Sequence, residues 1–346
     1  MNRHVGTVST LRLLSALLLL ILPAVVEAQS YTNNYGVWNY RSTNGTVTIA
    51  GYSGPGGDVS IPASINGLPV TSLADEAFFG DISLTNVTIP NGVTSVGGNA
   101  FADCHSLVTV AIPNSVTNLG FAAFTVCSSL ASVIIPARVT TINDYTFFDC
   151  GALTNVTIPS GVTSIGPVAF LACFSLTTVI IPDSVTDITE EAFEECTNLT
   201  TITIPKGVTA IGLREFFDCT KLTSVYFKGN APTVGDLAFA AGVPSQDPAT
   251  VYYLPGTTGW GSTLGGLPTR LWNPQVQPGS FGIRTNQFGF NITGSSNLVV
   301  VIEASTNLLN PSWYPLQTNT LNGNSLHFAD PQWTNYPSRF YRLSMP

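Results

Sequence analysis

Apolar and polar positions repeat along this chain with a period of 23 residues. Between Leu153 and Cys173 the pattern can be followed position by position. Leu153, Val156 and Ile158 are apolar, and Asn155 and Thr157 between them are polar, the alternation of a strand with one face in and one face out. Pro159 ends the run, since proline has no N–H to give to a strand ladder. Val162 and Ile165 then mark a second short inward-facing strand, and Gly166 turns the chain. A short helical turn is expected next, burying Ala169, Phe170 and Cys173.

Phenylalanine holds the register eight times, from Phe78 through Phe101, Phe124, Phe147, Phe170, Phe193 and Phe216 to Phe239. Cys104, Cys127, Cys150, Cys173, Cys196 and Cys219 hold it too, as do the prolines from Pro90 to Pro205 and the leucines from Leu84 to Leu222. Gly97, Gly120, Gly212 and Gly235 match Gly166. Asn143 replaces glycine once and tolerates a positive φ, whereas Thr189 at the same place has no explanation in the sequence. One unit of this size cannot bury its apolar side, so the units must stack into a solenoid with ladders of Leu, Val, Ile, Phe and Cys. Seven steps of about 4.8 Å give a core about 34 Å long.

Both ends of the pattern differ from its middle. Residues 29–57 carry Tyr35, Trp38 and Tyr40 and an irregular strand, and are expected to cap the stack. The repeats run over 58–242, with an insertion near Asn66-Gly67-Leu68-Pro69. Lys228 then replaces the proline and Gly242 the cysteine. Tyr252, Tyr253, Trp260 and Trp272 fall in the closing stretch, 243–272. They are read as an aromatic lid over the last coil in preference to an exposed platform for sugars. Residues 273–280 read as a linker. Residues 281–346, with short alternating runs split by turn residues, read as a small all-β sandwich.

Composition adds a location and excludes a partner class. Arg3, His4 and Arg12 precede an apolar run from Leu13 to Val26, and Val26-Glu27-Ala28 supplies small residues, so 1–28 reads as an export signal. Without Arg3, Arg12 and Glu27, ten basic and nineteen acidic side chains remain, a formal charge of −9. Nucleic acid needs a basic face, and this chain lacks one. Export would ordinarily pair six cysteines as disulfides. Here they occupy equivalent places on parallel coils, where the Cβ atoms stand farther apart than a disulfide prefers. Buried free thiols are expected instead, and no histidine or carboxylate shares their period to make a metal ladder.

The unit L-T-x-V-x-I-P-x-x-V-T-x-I-G-x-x-A-F-x-x-C, from about Val47 to Pro268, resembles the BspA-like leucine-rich repeats of bacterial surface proteins. The resemblance implies a right-handed β-rich solenoid with a concave strand face, export or surface location, and in some members adhesion or protein binding. It carries no catalytic residue. Residues 302–308, Trp313 and the closing Phe340-Tyr341-Arg342-Leu343 resemble a short fibronectin-III-like module of exported bacterial proteins.

Candidate chemistry is sparse. His105 and His327 fall in different modules, and no nucleophile triad, phosphate loop or histidine metal motif is present. Asp187, Glu190, Glu191, Glu194 and Glu195 form the densest charge. They read as a solvated patch, partly neutralised by Arg214 and Lys221, rather than as glycosidase or calcium carboxylates. More informative are the outward positions of the concave strands. One column is Asn86, Thr109, Ser132, Asn155, Thr178, Thr201 and Ser224. The other is Thr88, Ala111, Ile134, Thr157, Ile180, Thr203 and Tyr226. Ordinary β-propensity explains their Thr and Ile content. A weakly charged docking strip with Ile134, Ile180 and Tyr226 as anchors explains it as well.

The expectation is therefore an exported, non-catalytic binding or adhesion protein that needs no cofactor or metal and presents this strip to a protein or glycan. It would be secreted, periplasmic or attached to the cell surface. A structural envelope module without a ligand, and an enzyme acting on extracellular polysaccharide, stay open as alternatives.

Overall fold

The computed structural model describes residues 28–240, 249–284, 286–294, 298–321 and 325–346. The stretch read as an export signal lies outside them, apart from Ala28, and so does Gly242.

The repeats stack into a β-solenoid. Its concave sheet has eleven strands, running in space from Gly57–Ser60 through Leu84–Thr88 and one strand per coil to Ser224–Phe227, Thr250–Tyr253 and Leu267–Leu271, with Thr263–Leu264 antiparallel at the far edge. From Leu84–Thr88 to Ser224–Phe227 neighbours are parallel, and each residue faces the one 23 positions on, as Ser132 faces Asn155 and Asn155 faces Thr178. From Ser95–Val96 to Thr233–Val234 the second strand of each coil is two residues long, as in Ser164–Ile165, which pairs with Thr141–Ile142 and Asp187–Ile188.

The third side of each coil is not helical. From Phe78 to Phe216, the residues two before and two after each phenylalanine of the repeat have positive φ, as in Val168 at 61° and Ala172 at 59° around Phe170. A chain that alternates hand in this way cannot close helical hydrogen bonds. Its N–H groups instead donate to the next coil: Phe78 to Ala100, Phe101 to Ala123, and so on to Phe216 and Ala238, at 2.8–3.1 Å. This ladder along the stack outweighs the backbone strain of left-handed valines at Val126 and Val168.

Inside the coils the phenylalanine rings form one offset stack, with centroids 4.8–5.7 Å apart and planes within 13° from Phe78 to Phe239. All six cysteines are free and buried. Each Sγ lies 3.0–3.3 Å from the carbonyl oxygen of the preceding coil's phenylalanine, as Cys127 does from Phe101 and Cys150 from Phe124. A thiol fits here because it fills a small apolar space and still offers a weak donor to a buried carbonyl.

The periodic glycine serves close packing rather than an unusual φ. A Cβ on Gly120 would come within 2.5 Å of the Gly97 backbone, and one on Gly97 within 2.4 Å of Ala74. The two exceptions bridge the gap with hydrogen bonds to the coil below. Asn143 Nδ2 donates to Leu119 O at 2.5 Å, and Thr189 Oγ1 to Ile165 O at 3.1 Å. This accounts for Thr189, and it corrects the reading of Asn143, whose φ is not positive.

At the N-terminal end, the hairpins of Gln29–Asn33, Gly36–Thr43 and Thr46–Ser53 bring Trp38 and Tyr52 against Phe78, at 6.2 and 5.6 Å. At the other end Trp260 stacks on Tyr253 at 4.8 Å and meets Phe227 edge-on, while Gly265 passes so close to Phe239 that a Cβ would lie 2.9 Å from its ring.

Two further sheets make the C-terminal module. One contains Gln275–Val276, Gly282–Arg284, Gln287–Thr293 and Ser325–Asp330; the other contains Val299–Ser305, Tyr314–Thr320 and Phe340–Ser344. Residues 273–280 are thus no free linker: Val276 pairs with Ile292, and Ser280 Oγ accepts the Asn291 N–H. Within the module, Arg339 and Asp330 form a buried ion pair at 3.1 Å. The module's core is shared with the solenoid, because Tyr226, Tyr252 and Trp272 pack with Phe290, Leu298, Val300 and Ile302.

Candidate functional site

Strand pairing places the two outward columns side by side on the concave sheet. Val87, Val133, Val156 and Val179, between the columns, are buried in the core. Thr88, Thr109, Ser132, Ile134, Asn155, Thr157, Thr178 and Ile180 are exposed, and Asn86 is half-buried. Ile134 is 73% exposed and Ile180 79%, more than any other isoleucine among the described residues. Thr157 separates them in the same column, one strand from each. This stretch of the strip carries no ionic side chain.

Beyond Ile180 the strip closes. Thr201 is half-buried, and Thr203, Ser224 and Tyr226 are buried. Tyr226 was expected as an exposed anchor; it has no exposed surface, and its ring stacks on Tyr252 at 5.1 Å. Its hydroxyl accepts the Val299 N–H at 3.2 Å, and Trp272 Nε1 donates to Val299 O at the same distance. Burial raises the Tyr226 hydroxyl to about 12, opposed by hydrogen bonds from Ser224 and the Val299 backbone. Thr203 Oγ1 donates to Pro346 O. Thr203 and Tyr226 therefore contact the C-terminal module, and Ser224 is buried beside Tyr226; none of the three is an open binding position. No periodicity within the repeats reveals this, because the covering residues come from another part of the chain.

The aromatics of residues 249–272 divide between two jobs. Tyr253 and Trp260 cover the end of the stack, and Tyr252 and Trp272 join it to the module. Trp272 is buried and is not an exposed sugar platform.

The acidic patch is less solvated than its composition suggests. Glu194 is buried and paired with Arg214, which also lies 4.0 Å from Glu191 and stacks on Phe217. Burial raises the Glu194 carboxyl and Arg214 opposes the rise. Lys221 reaches Asn198 at 2.6 Å, on the adjacent coil. Glu215 escaped the sequence reading. It occupies the alanine place before Phe216, is fully buried, and has no well-formed hydrogen bond to its carboxyl oxygens. Burial lifts its carboxyl well above the usual range, with the Ala192 backbone opposing and Asp187 and Glu190 adding to the rise. The signal was the broken repeat itself, Glu where Ala169, Ala192 and Ala238 stand.

His327 Nδ1 lies 2.8 Å from Asn291 Oδ1, and His105 is exposed far along the chain in the repeats. Among the described residues no group of three or more His, Cys, Asp or Glu side chains is placed to hold a metal ion. Among the same residues no helix is long and apolar enough to cross a membrane.

A profile described as the BspA type leucine rich repeat region matches residues 59–170 and 123–243, in 6 copies. A leucine rich repeat protein of T. pallidum is 28% identical, over 61% of this chain and 88% of its own, with a TM-score of 0.43. A leucine rich cell surface protein of Faecalibacterium prausnitzii is 21% identical, over 71% of this chain and 94% of its own, with a TM-score of 0.38. No curated protein matches the chain.

Proposed function

Because the chain belongs to the BspA-type leucine-rich repeat family, we propose that it is an exported, non-catalytic binding protein whose open concave strip docks an extracellular protein or glycan. The single observation that carries the reading is the pair Ile134 and Ile180, held in register across Thr157 and left 73% and 79% exposed on an otherwise hydroxyl-and-amide surface. Isolated exposed apolar side chains are ordinary. Two large ones aligned on the open face of a rigid sheet are pre-organised anchors, whose burial by a partner would contribute about 1.5–3 kcal/mol each. The strip ends where the C-terminal module begins, so the surface offered to a partner runs from Asn86 to Ile180.

The test is capture of partners on combined extracellular-protein and glycan arrays, comparing the wild-type chain with Ile134→Asp/Ile180→Asp. Both sites are exposed, so the fold should tolerate the change, and circular dichroism with an unchanged melting curve verifies that. Loss of capture by the variant supports this face. Equal capture by both chains contradicts it, and no capture by either favours a structural role without a ligand.

A further inference from the structure

The strip has one walled end. Beside Gly57–Ser60, the terminal strand of the concave sheet, two adjoining cavities of about 570 and 230 Å³ share Tyr35, Ser60 and Thr88 in their walls. Tyr35 sits in the turn between the first two strands of the N-terminal hairpins and stands over the strip from outside the repeat. We infer that this groove is a subsite for a short neutral oligosaccharide, with Tyr35 as its platform and Asp58, Asn86, Ser60 and Thr88 as its hydrogen-bonding floor. The inference rests on the reading of the concave strip as the binding face, and it narrows that reading to a ligand class at one end.

The lining decides the class. Among the described residues that line it, Asp58 is the only ionic side chain, with no lysine, arginine or histidine. In a protein of net negative charge that excludes acidic glycans, phosphates and nucleic acid, which need cationic partners. Asp58 itself is turned to a neighbour: its Oδ1 accepts from Asn86 Nδ2 and, at 3.3 Å, from Thr85 Oγ1. It acts as an oriented acceptor more than as a counter-ion for a cationic peptide. Thr109 Oγ1 continues the chain by donating to Asn86 Oδ1 at 2.5 Å. Hydroxyls, a carboxamide and a carboxylate side by side present donors and acceptors together, the complement of sugar hydroxyls that do both.

The turn that carries Tyr35 is fixed before any ligand arrives. The Tyr35 N–H donates to Asn33 Oδ1 at 3.0 Å, and its carbonyl accepts the Tyr52 hydroxyl at 2.6 Å. Its own side chain stays 37% exposed. An aromatic ring offers the apolar C–H face of a pyranose a flat surface, and its hydroxyl a polar edge. Holding the turn that bears the ring in place lowers the ordering cost of binding.

Pro62, Pro90 and Pro113, one from each of three successive coils, also line the groove. Proline gives no N–H, so these residues offer an extended peptide no backbone donor. A peptide could be recognised only by adding to the outer edge of Gly57–Ser60, beside which the Tyr35 turn stands. The side-chain chemistry favours sugar, and peptide binding is a distinct outcome of the test.

Isothermal titration of the full exported chain with cellotetraose, xylotetraose, laminaritetraose and mannotetraose tests this, with tetragalacturonate and a blocked Thr-Ile-Thr-Ile tetrapeptide as counter-probes. The expected result is binding of at least one neutral tetrasaccharide and neither counter-probe. Tyr35→Ala should weaken that binding at least tenfold and Asn86→Ala severalfold, while Ile134→Asp/Ile180→Asp leaves it unchanged. Tyr35 lies outside the core, and Tyr35→Phe, which keeps the ring, should retain most of the affinity. Failure of all four neutral sugars to bind, binding insensitive to Tyr35→Ala and Asn86→Ala, or binding of a counter-probe in their place overturns the inference. Loss of array capture in the isoleucine variant without sugar binding would leave the strip standing and the groove refuted. Sugar binding with unaffected array capture would do the reverse.

Discussion

The Tyr226 hydroxyl accepts the backbone N–H of Val299 at 3.2 Å, tying the concave face of the solenoid to the C-terminal module. The ring beneath it is fully buried between Tyr252 and the module's core. Tyr226→Phe keeps the packing and removes only the hydrogen bond, so it should cost about 1 kcal/mol. Tyr226→Ala leaves a cavity in a shared core and should cost about 3–5 kcal/mol. Urea unfolding followed by tryptophan fluorescence measures both. Similar losses for the two variants would mean that the ring does not hold the modules together.

The repeating glycine makes a steric prediction. Gly120→Ala puts a Cβ within 2.5 Å of the Gly97 backbone, with no side chain able to move aside. Overpacking of this kind should lower stability by about 1–3 kcal/mol, although alanine is the milder residue for an ordinary backbone φ. Thermal unfolding of Gly120→Ala checks it, and a raised melting temperature would show that the coils have room between them.

How much of this was legible in the chain depends on where each cause lies. The Phe, Cys and Pro ladders announce the stack, because every coil repeats the same contacts. The turns around Val168 and Ala172 did not announce themselves, since small apolar residues on a short segment suit a helical turn until the neighbouring coil takes their N–H groups. Gly97 looked like a turn residue because only the facing coil reveals its crowding. In the candidate site, Ile134 and Ile180 could be placed from alternation alone. Tyr226 could not, because its cover comes from residues 73 positions away. Tyr35 belongs to the cap and has no repeat position from which its place over the strip could be inferred.

Glu215 predicts a pH dependence. Its carboxyl is raised in the folded chain by burial, so between the ordinary carboxylate range and that raised value the unfolded chain releases a proton that the folded chain keeps. Stability contributed by the protonated group is therefore present at low pH and is lost as pH rises through the folded value. Glu215→Gln abolishes this slope. Its advantage over wild type should grow with pH above the ordinary carboxylate range, by about 1.4 kcal/mol for each unit by which burial raises the carboxyl. Urea midpoints from pH 4 to 8 provide the comparison, and parallel curves for the two proteins would contradict the burial of a titrating carboxyl.

The cysteine ladder should be chemically silent. Burial lifts the Cys104 thiol to about 12 and the thiols of Cys127, Cys150, Cys173, Cys196 and Cys219 upward as well. A thiolate reagent at pH 7.5 should find no reactive cysteine in the native chain and six after denaturation. Fewer than six in denaturant without reductant would reveal disulfides.

That silence permits the most direct test of the central claim, a concave strip open as far as Ile180 and closed beneath the C-terminal module. Two single cysteines are placed in its columns, Thr157→Cys and Ser224→Cys, and their alkylation rates are measured in the native full chain. The account predicts rapid labelling at position 157 and protection at position 224, relieved when Tyr226→Ala loosens the module. Equal labelling at both positions, or protection at 157, would contradict it.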